Sequence, residues 1–353
     1  MSYTADACKM NEILSRMEKE YRIYAPRKYA QSGTDDRGYV IRYGEVSTMG
    51  KIVFDEKSDF SPKEVFYPIM QVLLRFENET CVESELEDER KLLIFARPCD
   101  VNGMERLDSI FLKNGGKADN FYKRLREKVR IVLMECSEEW DSCFCVSMGA
   151  SKTENYAAAI KQEGETYKVS VKDNELESYF SHLPRDNYTY AFVEKNKKEV
   201  SVPNITDRSQ IKNIIDLPMW KEFDDKCIAC GGCGAVCISC SCFDTIDIIF
   251  DETSLEGERR RKWSSCMLSD YSTMAGGHGV RETPGQRMRF KTLHKIYDFK
   301  YRFGEENMCV GCGRCDERCS REISFSDIIN DLSEEVEKMN ACHMSQREDD
   351  PND

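Results

Sequence analysis

The sequence lacks any apolar run long enough to cross a bilayer, which excludes a membrane-spanning helix as its organising element. It also lacks a recognisable export leader. Met1–Pro26 is polar and charged, with only a short amphipathic set at Met10, Ile13, Leu14 and Met17. No GxGxxG opens a helix after a strand and no P-loop is present, so a Rossmann or phosphate-cradling nucleotide site is not expected. Excess positive charge is missing as well. The formal net charge of the 353-residue chain is −13, which argues against general nucleic-acid binding. These absences leave a soluble, cytoplasmic protein whose partners are neither nucleic acid nor membrane.

Cysteine is abundant, with 18 residues. At this density in an unexported chain, thiols read as metal ligands rather than as a disulfide framework. Eight of them form two runs. Cys227, Cys230, Cys233 and Cys237 stand in CIACGGCGAVC, and Cys309, Cys312, Cys315 and Cys319 stand in CVGCGRCDERC. Both have the spacing C-x2-C-x2-C-x3-C of ferredoxins that carry two [4Fe-4S] clusters. Three closely spaced thiols wrap one cube, and the fourth, further along the emerging helix, ligates the other. One cluster is therefore assigned to Cys227, Cys230, Cys233 and Cys319, and the second to Cys309, Cys312, Cys315 and Cys237. The proline that usually follows the fourth cysteine is replaced here by Ile238 and Ser320. Two all-thiolate zinc sites are the rival reading, but zinc ligand pairs normally sit further apart in sequence.

The runs belong to the second half of the chain. Before residue 205, Lys91–Ala96 (KLLIFA) and Val129–Met134 (VRIVLM) read as buried strands flanking a helical spacing of Val101, Met104, Leu107, Ile110 and Phe111. Arg22–Ala25, Tyr39–Tyr43 and Lys51–Phe54 read as further strands. The expected fold is thus an α/β or α+β domain over 1–204. A mostly helical, ferredoxin-like dicluster domain follows over 205–340, then a flexible tail over 341–353. The long interval Ile238–Met308 expands the second domain. Within and after it, Gln286–Phe303 and the stripe Phe325, Ile328, Ile329, Leu332 and Val336 are predicted helices.

Further cysteines raise the question of a third cluster. Cys99 follows the KLLIFA strand in an RPCD turn, Cys136 follows VRIVLM, and Cys143 and Cys145 lie on the next loop. Neighbouring parallel strands would bring these four thiols to one sheet edge, where a third [4Fe-4S] cube is a candidate. The plainer alternative is that they pack as small apolar side chains. Cys240, Cys242 and Cys266 read as alternative ligands, redox thiols or packing. The cations Arg259–Lys262, Arg281, Arg287, Arg289 and Lys291 would balance cluster charge or dock an acidic partner, unless they form an ordinary solvated face. His278 and His294 read as packing or hydrogen-bonding residues.

Several segments carry a resemblance beyond the cysteine runs. They are SPKEVFYP (61–68), ARPCDVNGMERLD (96–108), CSEEWDSCFCVSMG (136–149), CISCSCFD (237–244), RRKWSSC (260–266) and GGHGVRETPGQRMRFKTLHK (276–295). On these the chain resembles the A subunits of anaerobic sulfite reductases and, more widely, the β subunits of sulfhydrogenases. The resemblance implies an iron–sulfur subunit that is not catalytic alone. It would relay electrons from a flavin subunit that oxidises NADH to a sirohaem subunit that reduces sulfite to sulfide. A sulfhydrogenase-like complex is the alternative setting, and a zinc-binding or redox-sensing protein is the alternative of another class.

Overall fold

The computed structural model describes residues 1–31, 37–77, 80–86, 88–136, 140–205, 208–251, 253, 256–304 and 306–348, the last seven by backbone alone. Two compact units share the chain. The first comprises Met1–Glu139, Ser151–Glu194 and Ala235–Ser264, and the second Trp140–Ala150, Lys195–Gly234 and Ser265–Asp353.

The strands, in chain order, are β1 (Ser2–Asp6), β2 (Tyr21–Ala30), β3 (Tyr39–Glu45), β4 (Met70–Glu77), β5 (Thr80–Glu83), β6 (Lys91–Ala96), β7 (Val129–Met134), β8 (Ala158–Glu163), β9 (Thr166–Val171), β10 (Arg185–Asp186), β11 (Phe243–Asp251) and β12 (Glu256–Trp263). All lie in the first unit. A mixed sheet has the order β10-β1-β9-β8-β7-β6-β2-β3, and its centre, β2, β6, β7 and β8, is parallel. The unbroken apolar runs of β6 and β7 suit that position, because a parallel strand is covered on both faces. Nearly every side chain in the two strands is buried. One cover is the helix Ala7–Met17, whose first free N–H groups are capped by Asp6, accepting from the N–H of Lys9. Its buried stripe Met10, Ile13, Leu14 and Met17 packs in one core with Ile23, Phe95, Val132 and Tyr167. The helix Pro98–Lys113 follows β6, as its spacing predicts. Lys51–Phe54, expected as a strand, instead begins with the end of a 3-10 turn, Met49–Lys51.

The second sheet, β11-β12-β4-β5, is a departure from the expected mostly helical segment 205–340. β11 and β12 form a long antiparallel hairpin inside that segment, and they pair with β4 of the first unit. The physical signal is local. FDTIDIIFD is rich in β-branched and aromatic residues, and its acids meet the basic partner strand in register. Asp247 stands opposite Arg259, and their side chains make two hydrogen bonds of 2.7 Å.

The regular elements of the second unit are helical among the described residues. Pro284–Leu293 opens with a capping box between Thr283 and Gln286 and has proline at its first turn. It continues through a π turn, His294–Asp298, into Phe299–Phe303. The last helix runs Phe325–Glu348, and the predicted stripe of Phe325, Ile328, Ile329, Leu332 and Val336 is buried. The helix includes 341–348 of the segment expected as a tail, and 349–353 lie outside the described residues. Among the described residues, no helix is long and apolar enough to cross a membrane.

Candidate metal centre

The two cysteine runs adopt one backbone. In the first, Ala229 and Gly231 have φ of 55° and 73°; in the second, Gly311 and Gly313 have 63° and 68°. Alternating into the left-handed region turns the chain around its own sulfurs. The N–H of Ala229 donates to Cys227 Sγ at 3.4 Å, and that of Gly311 donates to Cys309 Sγ at 3.5 Å. Such N–H···S contacts orient a thiolate and offset its charge. Each turn leads into a short helix, Gly232–Ala235 or Arg314–Arg318, and Cys319 closes the latter.

Within the second unit, Cys227, Cys230, Cys233 and Cys319 line one cavity, which Cys315 and Lys291 also reach. The electrostatic environment sorts the thiols similarly. Burial pushes the Cys227 thiol up; the Ala229 N–H and the Lys291 ammonium act oppositely, and Cys233 and Cys319 are its interacting sulfurs. Burial pushes the Cys315 thiol well up, and its interacting sulfurs are Cys309 and Cys312. Thiols in such places ionise readily only when a bound metal supplies positive charge. Among the described residues, no three His, Cys, Asp or Glu side chains close around a single ion. The donor set, thiols spaced around a cavity with N–H groups turned toward them, fits a cluster.

The second run sits beneath a loop of its own unit. Phe144 N–H donates to the Gly311 carbonyl at 2.8 Å, and the Cys143 thiol donates to the Cys312 carbonyl at 3.6 Å. This loop places Cys143 and Cys145, both buried, beside the second run. Cys99 and Cys136 lie in the first unit, at the C-terminal ends of adjacent parallel strands β6 and β7. The candidate third set is thus divided, two thiols in each unit. Cys136 donates its N–H to Tyr190 Oη at 3.3 Å, and burial pushes its thiol up while Arg97 acts oppositely.

Cys237, the expected fourth ligand of the second cluster, lies on the first unit's segment Ala235–Ser264. Its neighbour Ile238 is fully buried against Gly103, where an added Cβ would stand 2.3 Å from Ile238 Cγ2. That packing accounts for isoleucine where proline was expected. Below the same segment is a residue that sequence patterning did not single out. Lys63 is buried, donates to the Cys240 carbonyl at 3.0 Å and stacks its ammonium 3.9 Å from the Trp263 ring centre. Cys242 accepts the Ser264 N–H through its carbonyl, and Cys266 is buried in the second unit.

The basic run Arg259–Lys262 is neutralised within the first unit. Arg259 pairs with Asp247, Arg260 with Glu258, and buried Arg261 with Asp119 and Gln71. His294 packs against Phe290, and burial lowers its pKa to about 4, assisted by Lys295 and Arg281. The folded chain then refuses a proton that the unfolded chain accepts below about pH 6.5. Stability from this residue is present above that pH and falls as pH drops toward 4, by roughly 3 kcal/mol in full. Chemical denaturation at pH 7 and pH 4.5 should show a smaller acid loss in His294→Gln than in the wild type.

Residues 226–323 match the family model described as a 4Fe-4S dicluster domain. The C-terminal part of this chain carries that domain. The whole chain is similar to sulfhydrogenase 2 subunit beta of Pyrococcus furiosus, with 25% identity over 338 residues, 92% of this chain and 96% of that protein. No solved structure matches. Together these support an iron–sulfur electron-transfer subunit. They do not carry the assignment to sulfite reduction that the sequence segments suggested, and they favour the sulfhydrogenase-type alternative.

Proposed function

We propose that this chain is the electron-relay subunit of a multisubunit oxidoreductase, of the type represented by sulfhydrogenase β subunits, working in the cytoplasm. The supporting observation is the pair of cysteine turns with left-handed residues at the same two positions, inside a dicluster domain. Cys227, Cys230, Cys233 and Cys319 would hold one [4Fe-4S] cluster, and Cys309, Cys312, Cys315 and Cys237 the other. Each cluster supplies one-electron storage at a potential that the surrounding chain adjusts. The residues themselves supply thiolates, N–H donors and burial. With no nucleotide-binding motif in the sequence, a flavin subunit and a terminal catalytic subunit are the partners this reading requires.

The sulfite reductase setting is the second reading, favoured by the ARPCDVNGMERLD and GGHGVRETPGQRMRFKTLHK segments. Both settings predict about eight irons and eight labile sulfides per chain after anaerobic purification, and a third cube on Cys99, Cys136, Cys143 and Cys145 raises this to about twelve. One zinc per quartet and no labile sulfide would overturn both. Native co-purification separates them. A hydrogenase-type catalytic subunit is expected, whereas a sirohaem subunit with sulfite-dependent NADH oxidation would transfer the chain to the second setting.

A further inference from the structure

We infer that Lys291 is a buried cation shared by the two cysteine sites, placed to raise the reduction potential of both clusters. The inference rests on the cluster assignment above. Helices in soluble proteins normally turn their cations outward. The segment that begins at Pro284 does the reverse. Arg287, Lys291 and Lys295 recur at intervals of four and are only 3%, 5% and 4% exposed. One face of this segment is therefore a column of buried positive charge.

The column is anchored at both ends. At the start, Gly285 donates its N–H to Asp224 at 2.8 Å and lies so close to Trp220 that an added Cβ would stand 2.2 Å from its carbonyl oxygen. Arg287 Nη1 donates to the carbonyls of Arg281 and Glu282, each at 3.1 Å, which ties that guanidinium to the preceding loop. At the other end, the Lys295 carbonyl in the π turn accepts the N–H groups of Met308 and Cys309, at 2.8 and 3.2 Å. The same segment thus fixes the start of the second cysteine run.

Lys291 lies between these anchors and meets both runs. It lines the cavity of Cys227, Cys230, Cys233 and Cys319, and its charge bears on Cys315 of the second run as well as on Cys227. Its ammonium also stands 4.5 Å from the centre of the Phe325 ring. Asp316, a carboxylate at the same cavity, accepts from the Cys315 thiol at 3.3 Å. It also accepts from Phe325 N–H and from the hydroxyls of Ser324 and Ser326, and it faces Lys198. A four-thiolate cube becomes more negative on reduction, so a fixed, buried cation beside it favours the reduced form. A cation between two such sites favours it in each.

The test uses the full chain purified anaerobically with its clusters, as wild type, Lys291→Met and Lys291→Arg. Iron and labile sulfide are measured first, followed by a redox titration read by low-temperature EPR. Lys291→Met, close in shape and without charge, is expected to keep its iron and to lower both one-electron equilibria about tenfold, ~59 mV each. Lys291→Arg is expected to stay near the wild type. Unchanged midpoints in iron-replete Lys291→Met overturn the inference, and movement of only one midpoint overturns the sharing. Should Lys291→Met lose iron, retention with wild-type potentials in Lys291→Arg supports a charge role. Loss from both variants makes Lys291 a packing residue and overturns it. Absence of labile sulfide from the wild type would instead defeat the cluster assignment itself.

Discussion

Cys319→Ala should purify with about four fewer irons per chain, and its lost EPR signal should be the one lost by Cys227→Ala. By sequence, Cys319 belongs to the second run. In the fold, it lines the cavity of the first, with Cys227, Cys230 and Cys233. It is also one of the sulfurs whose charge bears on Cys227, whereas Cys315 responds to Cys309 and Cys312. Each iron of a cube needs its own terminal ligand, so removing one thiolate exposes that corner and destabilises the cluster through purification. The expected loss is therefore the whole cluster. Cys81→Ala is the control, since Cys81 is exposed on β5 and should leave the iron count unchanged. If Cys319→Ala spared the signal lost by Cys227→Ala and removed the one lost by Cys312→Ala, ligation would be local and the crossed pairing wrong.

The second large effect is expected from a single methyl group. At Gly311 an added Cβ would stand 2.4 Å from the Phe144 carbonyl oxygen, and at Gly313 it would stand 2.2 Å from that of Ser142. Both obstacles are backbone, so no rotamer change relieves them. Left-handed φ adds about 1–2 kcal/mol for any residue with a Cβ. Gly311→Ala and Gly313→Ala should each cost more than ~4 kcal/mol, the range of exceptional single substitutions, and should empty the second site. Two milder variants calibrate the series. Gly231→Ala meets only side chains, Leu268 and Ser265, at 3.1–3.2 Å, and Gly149→Ala meets open space. They should carry little beyond the roughly 1–2 kcal/mol of backbone strain. Thermal unfolding with iron analysis checks the order. Equal losses at Gly149 and Gly313 would mean that strain, not the overlying loop, sets the penalty.

What the sequence revealed about this protein was whatever depends on neighbours along the chain. The apolar runs of β6 and β7, the stripe from Phe325 to Val336 and the cysteine spacing all announce themselves within a dozen residues. The hairpin β11–β12 was readable in principle, from Thr245, Ile246, Ile248 and Ile249 opposite a basic strand, but the adjacent charges of Arg259–Lys262 look equally like a solvated face. Other features are set by long-range packing and leave no local trace. Nothing in DSCFCVSMG tells that Trp140–Ala150 leaves the first unit for the second, or that Ser142 and Phe144 will cover Gly313 and Gly311. The burial of Lys63 and Lys291 is equally silent, because a lysine reads the same in sequence whether its ammonium meets water or an aromatic ring.

The matching turns are nevertheless not interchangeable. CVGCGRC could be transplanted into 227–233, where glycine relaxes the left-handed position of Ala229 and the site of Gly232 has ordinary room for a side chain. CIACGGC could not be moved into 309–315, because its alanine would strike Phe144 and its second glycine would erase the buried Arg314. Gene conversion between the copies would thus be tolerated in one direction only, because the first run meets side chains of Ser265 and Leu268 that can give way, whereas the second meets backbone.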